Sequence, residues 1–384
     1  MRGITMLIIN AVIHTMAGTT LEHGFIETEG RKIKRVGTMS ELTEKEKADA
    51  LDLNGGSVYP GFIDTHTHLG LIGDALGFES DDLNEMTNPV TPQLRAIDAI
   101  NPLDYSLTEA VRAGVTTVVT GPGSANPIAG QMAAIKTHGV CVDDMIIKAP
   151  LAIKMALGEN PKSVYHSRKE SPSSRMATAA VIRDALAKAK EYLRKKQVGE
   201  EQDFDFSCEA LIPLLKGEIP AHIHAHREDD ILTAARLSKE FGFDYIIVHG
   251  TRGHLIANRL KQENIRIMSG PLLCDRSKPE LKDLTPAAPA ILKAEDIEVS
   301  IVTDHPVIPI QYLPLCAGLA AREGLSKEDA LRAITIDAAR IANIADYVGS
   351  IEVGKDADFS VFDSDPLTIS AKPRMVFING ERVF

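Results

Sequence analysis

Hydrophobic and polar positions alternate in short runs over residues 1 to 59, in LIINAVIHTM, FIETEG, KIKRVG and ALDLNGGSVYP, with glycine and charged residues between them. A period of two puts alternate side chains on one face, so these segments predict antiparallel strands. Helical spacing occurs there only near Met39 to Leu51. From Pro60 onward apolar runs alternate with amphipathic segments, which predicts βαβ units on a parallel sheet. Eight strands are expected: SVYPGFID, VTTVVTG, CVDDMII, LAIKMAL, EIPAHIH, DYIIVHG, NIRIMSG and EVSIVTD. Helices are expected at Leu107 to Ala113, Arg175 to Lys196, Asp229 to Phe241 and His254 to Asn264, the second behind the N-cap candidates Ser171, Ser173 and Ser174. KEDALRAITIDAARIANI, after Ser326, reads as one more capped helix, and residues 346 to 384 return to short strands. The expected architecture is α/β: a (β/α)8 TIM barrel over residues 60–345, and a small β-sandwich domain built from residues 1–59 and 346–384.

Composition narrows the function. The 384 residues are 44% hydrophobic and 25% charged, which suits a globular core and excludes a disordered or collagen-like chain. Asp and Glu number 53 against 42 Lys and Arg, a net charge of −11, so nucleic acid is not the expected partner. Cys141, Cys208, Cys274 and Cys316 lie far apart with no CxxC pair, which argues against a disulfide framework and against thiolate zinc. A metal, if bound, needs nitrogen and oxygen ligands. No apolar run approaches the roughly 18 residues of a membrane span. Arg2 followed by MLIINAVI imitates a signal peptide, but Asn10 and His14 interrupt it, so Met6 to Met16 is expected to be an edge strand of a cytoplasmic protein.

Histidine carries the chemistry. His66 and His68, in PGFIDTHTH, stand two apart at the end of the first barrel strand, so both rings point into the barrel mouth. The fifth strand ends in His222, His224 and His226; His222 is read as a buried, hydrogen-bonded histidine one layer deeper. The sixth strand ends in His249 and the eighth in Asp304, a carboxylate that needs a cation or donors if buried. Imidazoles and a carboxylate gathered at strand ends point to a divalent-metal site. Lys154, in AIKMALG, is directed at the same mouth, with Lys148 as the fallback. An ammonium beside metal ions is disfavoured, whereas a lysine carboxylated by CO2 becomes an anionic bridge.

PGFIDTHTHLG at 60 to 70, IVHGTRGH at 247 to 254, VTDHP at 302 to 306 and GSIEVGKDADFSVFD at 349 to 363 resemble the amidohydrolase superfamily of metal-dependent hydrolases, within it the imidazolonepropionase-related group. The resemblance spans essentially the whole chain and implies the same barrel beside a small β-sandwich. It implies that His66, His68 and Asp304 hold one metal, His224 and His249 a second, and carboxylated Lys154 bridges them. The expected cofactor is one or two zinc ions, two favoured. Asp304 would take the proton of the attacking water and deliver it to the leaving group, and His249 would share in catalysis.

The expected reaction is hydrolysis of an amide C–N bond in an N-acyl amino acid, a dipeptide or a cyclic amide. The alternatives are a heterocycle deaminase or an imidazolonepropionase-like ring hydrolase, and, from another class, a non-catalytic scaffold. The resemblance implies an acidic or amide residue three positions after His224 in ring deaminases and imidazolonepropionase-type members, but Arg227 stands there and Glu228 is one place too far, which favours the two-metal amide hydrolase over a ring deaminase. The long loop after the first strand, with Asp74, Glu79, Asp81, Asp82 and Glu85, is expected to pack over the mouth with its acids solvated. The basic loop after the fourth strand carries Lys162, His166, Arg168, Lys169 and Arg175. Arg168, Arg175, Arg227 and His226 are the substrate-binding candidates, suited to an acidic end of a small-molecule substrate. GPGSANPIAG lacks the Lys and Ser/Thr of a P-loop and is read as a tight turn. No nucleic-acid or membrane partner is expected; a homo-oligomer is.

Overall fold

The computed structural model describes residues 5–73 and 77–384, so Arg2 and Asp74 lie outside the described residues. The chain opens with β1 (Thr5–Ile13), β2 (Leu21–Glu29), β3 (Lys32–Thr38), β4 (Leu51–Asp52) and β5 (Ser57–Pro60). It enters the barrel with β6 (Phe62–Thr67), β7 (Val115–Thr120), β8 (Ile128–Lys136) and β9 (Ile146–Ala156). The barrel continues with β10 (Ala221–Ala225), β11 (Tyr245–His249), β12 (Ile267–Ser269) and β13 (Val299–Ile301). It closes the chain with β14 (Phe359–Phe362), β15 (Met375–Ile378) and β16 (Glu381–Arg382).

Strands of both termini form one connected sheet, ordered β16-β15-β14-β5-β1-β2-β3, with β4 on β1. The two ends of the chain meet where β5 runs antiparallel to β14, Tyr59 opposite Ser360. Ile8, Ile26, Val58, Phe359 and Phe377 fill its core. The expected edge strand is central instead: β1 lies between β2 and β5. Its apolar run is explained by neighbours on both sides.

The second sheet is a nearly closed eight-stranded barrel, ordered β6 to β13. Its third strand corrects the sequence reading. β8 begins inside the segment expected to be a tight turn, and it is antiparallel to both β7 and β9. The segments expected to be strands three and four are one eleven-residue strand, β9, preceded by a short helical turn at Val142–Met145. The helix expected at 327–344 is also two, Lys327–Arg332 and Ile336–Ile341. The break has a use. Ile334 O accepts from Ile63 N of β6 (2.8 Å) and Ala333 O from Ile301 N of β13 (3.0 Å), so the broken helix caps the seam between the first and last strands. Nearer the mouth the seam closes directly, Asp304 N donating to His66 O (3.2 Å) and His68 N to His305 O (3.0 Å). No helix of the described residues is long and apolar enough to cross a membrane.

Candidate metal centre at the barrel mouth

Alternation on β6 puts Asp64, His66 and His68 on one face, and the same rule puts Lys154 of β9 beside His222 of β10 in register, with His224 two residues further up. His249 ends β11, and Asp304 follows β13. All of these side chains except Asp304 are buried, and Asp304 retains 15% exposure. Asp304 joins the two sides of the mouth: Oδ1 lies 3.2 Å from His66 Nε2 and 3.4 Å from His68 Nε2, while Oδ2 lies 4.0 Å from His249 Nε2. Lys154 Nζ is 3.1 Å from His66 Nε2. His224, His226 and His249 form a second cluster whose ligand atoms lie within 4.8 Å of one another, as do those of His66, His249 and Asp304.

The rings are held from behind. His68 Nδ1 lies 2.7 Å from Gly121 O, and His249 Nδ1 lies 2.7 Å from Gly270 O. Ser124 Oγ meets His224 Nδ1 at 3.0 Å, and Thr251 Oγ1 meets His226 Nδ1 at 2.7 Å. In each ring a carbonyl or hydroxyl takes Nδ1 and leaves Nε2 turned to the mouth, the arrangement that orients imidazoles toward a metal. Gly270 has to be glycine: at φ +153° a Cβ would meet Val302 O at 2.1 Å. His249 (φ 75°) and Asp304 (φ 56°) are themselves left-handed, a strain that clusters at functional sites.

Burial disfavours the charged form of four of the histidines and of Lys154. It pushes His66, His224 and His226 well below the ordinary histidine range, with the charge of Lys154 adding for His66 and that of His249 for the other two. His249 falls to about 4, also through burial, and Lys154 to about 7. Burial acts the other way on Asp304, yet the neighbouring His249, His66 and His68 hold it well below the usual carboxylate range. His224 Nε2 is buried with no hydrogen-bond partner among the described residues. Neutral imidazoles, an ionised carboxylate and an unspent lone pair fit a divalent ion of the zinc type, which takes nitrogen and oxygen ligands.

Residues 57–383 match the Amidohydrolase family. The chain belongs to that family. The structure of an amidohydrolase from Thermotoga maritima MSB8 superposes on this amidohydrolase with a TM-score of 0.94, at 41% identity over 99% of both chains. Amidohydrolase tasK of Hapsidospora irregularis is 31% identical over 88% of this chain, and the match spans 37% of that relative's length. Imidazolonepropionase of Bdellovibrio bacteriovorus is 24% identical over 95% of this chain and 89% of that protein. Family membership makes the chain a hydrolase with a histidine-rich candidate metal site.

The structure brings six of the expected residues of the amidohydrolase together, His66, His68, Lys154, His224, His249 and Asp304, and re-sorts the rest. His226, expected to touch substrate, packs parallel to His249 with ring centroids 4.6 Å apart and belongs to the second cluster. Lys148, the fallback lysine, pairs with Ala134 near the start of β9, toward the opposite end of the strand from Lys154. His222 is buried as expected, but neither ring nitrogen has a partner among the described residues, where a hydrogen bond was expected. Arg227 is spent on Asp229 (2.7 and 2.9 Å) and Arg168 on Met86 O (2.6 Å), so neither reaches the histidines. Glu228 pairs with Arg252 at 3.2 Å and is not turned toward His224. The loop after β6 docks on the β7–β8 connection through Asn84 Oδ1, which accepts from Ala125 N at 3.1 Å. Its acids Glu79, Asp81, Asp82 and Glu85 are exposed.

Sequence reasoning missed two carboxylates. Asp64 accepts from Thr303 N (2.9 Å), Thr303 Oγ1 (2.6 Å) and His66 N (3.1 Å), and so sets the backbone on both sides of the His66–Asp304 pair. Burial pushes it up to about 7. The alternation in PGFIDTHTH carries the signal for it. Glu280, on the loop after β12, lies 3.8 Å from His226 Nε2, and nothing in the local pattern marks it.

Proposed function

We propose that this amidohydrolase cleaves the C–N bond of a linear N-acyl amino acid, a dipeptide or a cyclic amide at the barrel mouth. The observation that carries the reading is the meeting of His66, His68 and His249 around the carboxylate of Asp304, beside a buried Lys154. His66, His68 and Asp304 would hold one divalent ion; His224 and His249, with His226 within reach, would hold a second. Ions bound there supply Lewis-acid polarisation of a carbonyl oxygen and make water more acidic. Lys154, neutral in part at pH 7, can add CO2 and lose a proton, giving the N-carboxylate that would stand between the two groups of histidines. Asp304, partly exposed with Oδ2 on the His249 side, would accept the proton of the attacking water, then return it to the departing nitrogen. The pairing of Glu228 with Arg252 supports amide hydrolysis over ring deamination, because it leaves no acid at the position a deaminase uses.

Metal analysis of the purified chain tests the site: about two ions per chain, falling on Lys154→Ala, is expected. A single ion untouched by that substitution would sink the bridged arrangement. A substrate panel scored for free amine or carboxylate against free ammonia tests the bond cleaved; ammonia as the sole product would replace amide hydrolysis with deamination.

A further inference from the structure

Four buried or half-buried charges stand beside the His224–His226–His249 group, drawn from three separate segments. Glu280 and Asp230 are 1% and 4% exposed, whereas the cations over them, Lys278 and Arg175, are 24% and 31% exposed. Lys278 Nζ donates to Asn160 Oδ1 (2.7 Å) and pairs with Glu280 Oε1 (3.0 Å). That same Oε1 lies 3.8 Å from His226 Nε2, so the ammonium is one oxygen atom removed from the histidine cluster. Arg175 Nε donates to both oxygens of Asp230 at 3.0 and 3.1 Å, and its Nη2 lies 3.8 Å from Glu280 Oε2. The carboxylates are seated against the backbone at Gly158, where a Cβ would meet Glu280 Oε2 at 3.0 Å and Asp230 Oδ2 at 3.1 Å, and Glu159 N donates to Glu280 Oε2.

We propose that Lys278, with Arg175 beside it, forms an anion subsite at the edge of the histidine cluster and receives a carboxylate that the substrate carries next to its scissile amide. The arrangement of charge is the reason: the acids lie underneath and the cations lie toward solvent, so what the mouth presents on this side is positive. Lys278 has three donors; one goes to Asn160, and the ion pair with Glu280 leaves Oε1 without a hydrogen-bond partner among the described residues, so the anchored ammonium keeps donors for a ligand. The half-exposed cations stand nearer an incoming ligand than the buried acids do, and the acids damp their field, so a singly charged carboxylate suits the subsite better than a doubly charged phosphate. The substrate class is then an amide bearing a free carboxylate. The subsite rests on the hydrolytic reading of the mouth only for calling its ligand a substrate.

The test uses probes that cannot be cleaved: 4-oxo-4-phenylbutanoate, in which CH2 replaces the amide NH of N-benzoylglycine, and 1-phenylpentane-1,4-dione, in which a methyl ketone replaces the carboxylate. Both are titrated calorimetrically into the full metal-loaded chain. The wild type is expected to bind the acid about ten-fold or more tightly than the methyl ketone, the worth of one charge-assisted hydrogen bond. Lys278→Met should abolish the preference and Lys278→Arg should restore it. Because Lys278→Met leaves Glu280 with one cation fewer, Lys278→Met combined with Glu280→Gln is run beside it and should behave the same way. No acid preference in the wild type, or a preference that survives both Met variants, overturns the subsite. The hydrolytic reading fails separately: a Lys278-dependent preference in a chain that cleaves no amide keeps the anion subsite and removes the reaction.

Discussion

Two lysines are buried at opposite ends of the barrel, and the protein treats them in opposite ways. Lys136, at the floor end of β8, donates to Asp356 (2.8 Å) and Asp358 (2.5 Å), while Lys32 also reaches Asp356 (2.7 Å) and Asn379 N closes on Asp358 (2.8 Å). Every buried charge there has a counter-charge, and the cluster ties the barrel to the terminal sheet. Lys154, in β9, is also fully buried, yet its nearest partner is a histidine nitrogen, and burial drags its pKa to about 7. The GKDAD run that looks like a family signature has a plain physical job in this light: it supplies the two carboxylates that neutralise Lys136. A polar cluster that serves the fold is satisfied, whereas one that serves chemistry keeps lone pairs and labile protons unspent.

The sharpest way to break this contrast is to change one charged group at each end. Asp304→Asn is expected to cost about 10²–10⁴-fold in turnover on any substrate found, the usual worth of a general acid–base group, with little change in thermal midpoint. Full turnover in that variant would remove the proton-transfer role. At the floor the cost is stability: Lys136→Met leaves Asp356 and Asp358 buried with one cation fewer, and about 3–5 kcal/mol should be lost in denaturant unfolding, with metal content unchanged. A loss under about 1 kcal/mol would mean that the floor cluster is well hydrated and that the contrast fails.

The same substitution at the mouth should have the opposite sign. In chelator-treated protein Lys154→Met removes a desolvated amine and is expected to stabilise by about 1–4 kcal/mol at pH 7. The pH dependence follows from linkage. The ammonium is disfavoured in the fold, where its pKa is about 7, against 10.5 in the unfolded chain, so the penalty is full below pH 7 and fades as pH rises toward 10.5. Chelated wild type should therefore gain stability over that window relative to Lys154→Met. Parallel curves for the two proteins, or a variant that unfolds as Lys136→Met does, would put Lys154 with the structural lysines.

The satisfied and the unspent clusters were not equally legible. The mouth histidines and Asp304 sit at the ends of apolar runs, where a period-two pattern states both position and direction. The runs around Lys136 do not announce themselves: β8 is rich in alanine and carries Gly130 and Gln131, residues with little strand preference, and only pairing on both sides makes it a strand. The break at Ala333 to Thr335 has the same origin, because the helix gives up its own continuity to hydrogen-bond β6 and β13. Lys278 and Glu280 lie on a loop, and where a loop leads depends on the tertiary path alone. Arg227 and Arg168 illustrate the converse: charge in sequence gave candidates, and local ion pairing or a carbonyl absorbed them.

His222 offers the smallest and most discriminating test. It pairs in register with Lys154, one layer below His224, and burial together with the charge of Lys154 lowers it to about 3, so it is neutral throughout the working range. Both ring nitrogens are buried without a hydrogen-bond partner among the described residues. If it belongs to neither cluster, those nitrogens are only a cost, and His222→Leu, which fills a similar volume without polar atoms, should stabilise by about 1 kcal/mol. Metal content and turnover should stay at the wild-type level, because His224 and the ring holders Ser124, Gly121 and Gly270 are untouched. If the metal count falls instead, the unspent lone pair of His222 belongs to the mouth, and the metal centre reaches one layer deeper into the barrel than the contacts of Asp304 imply.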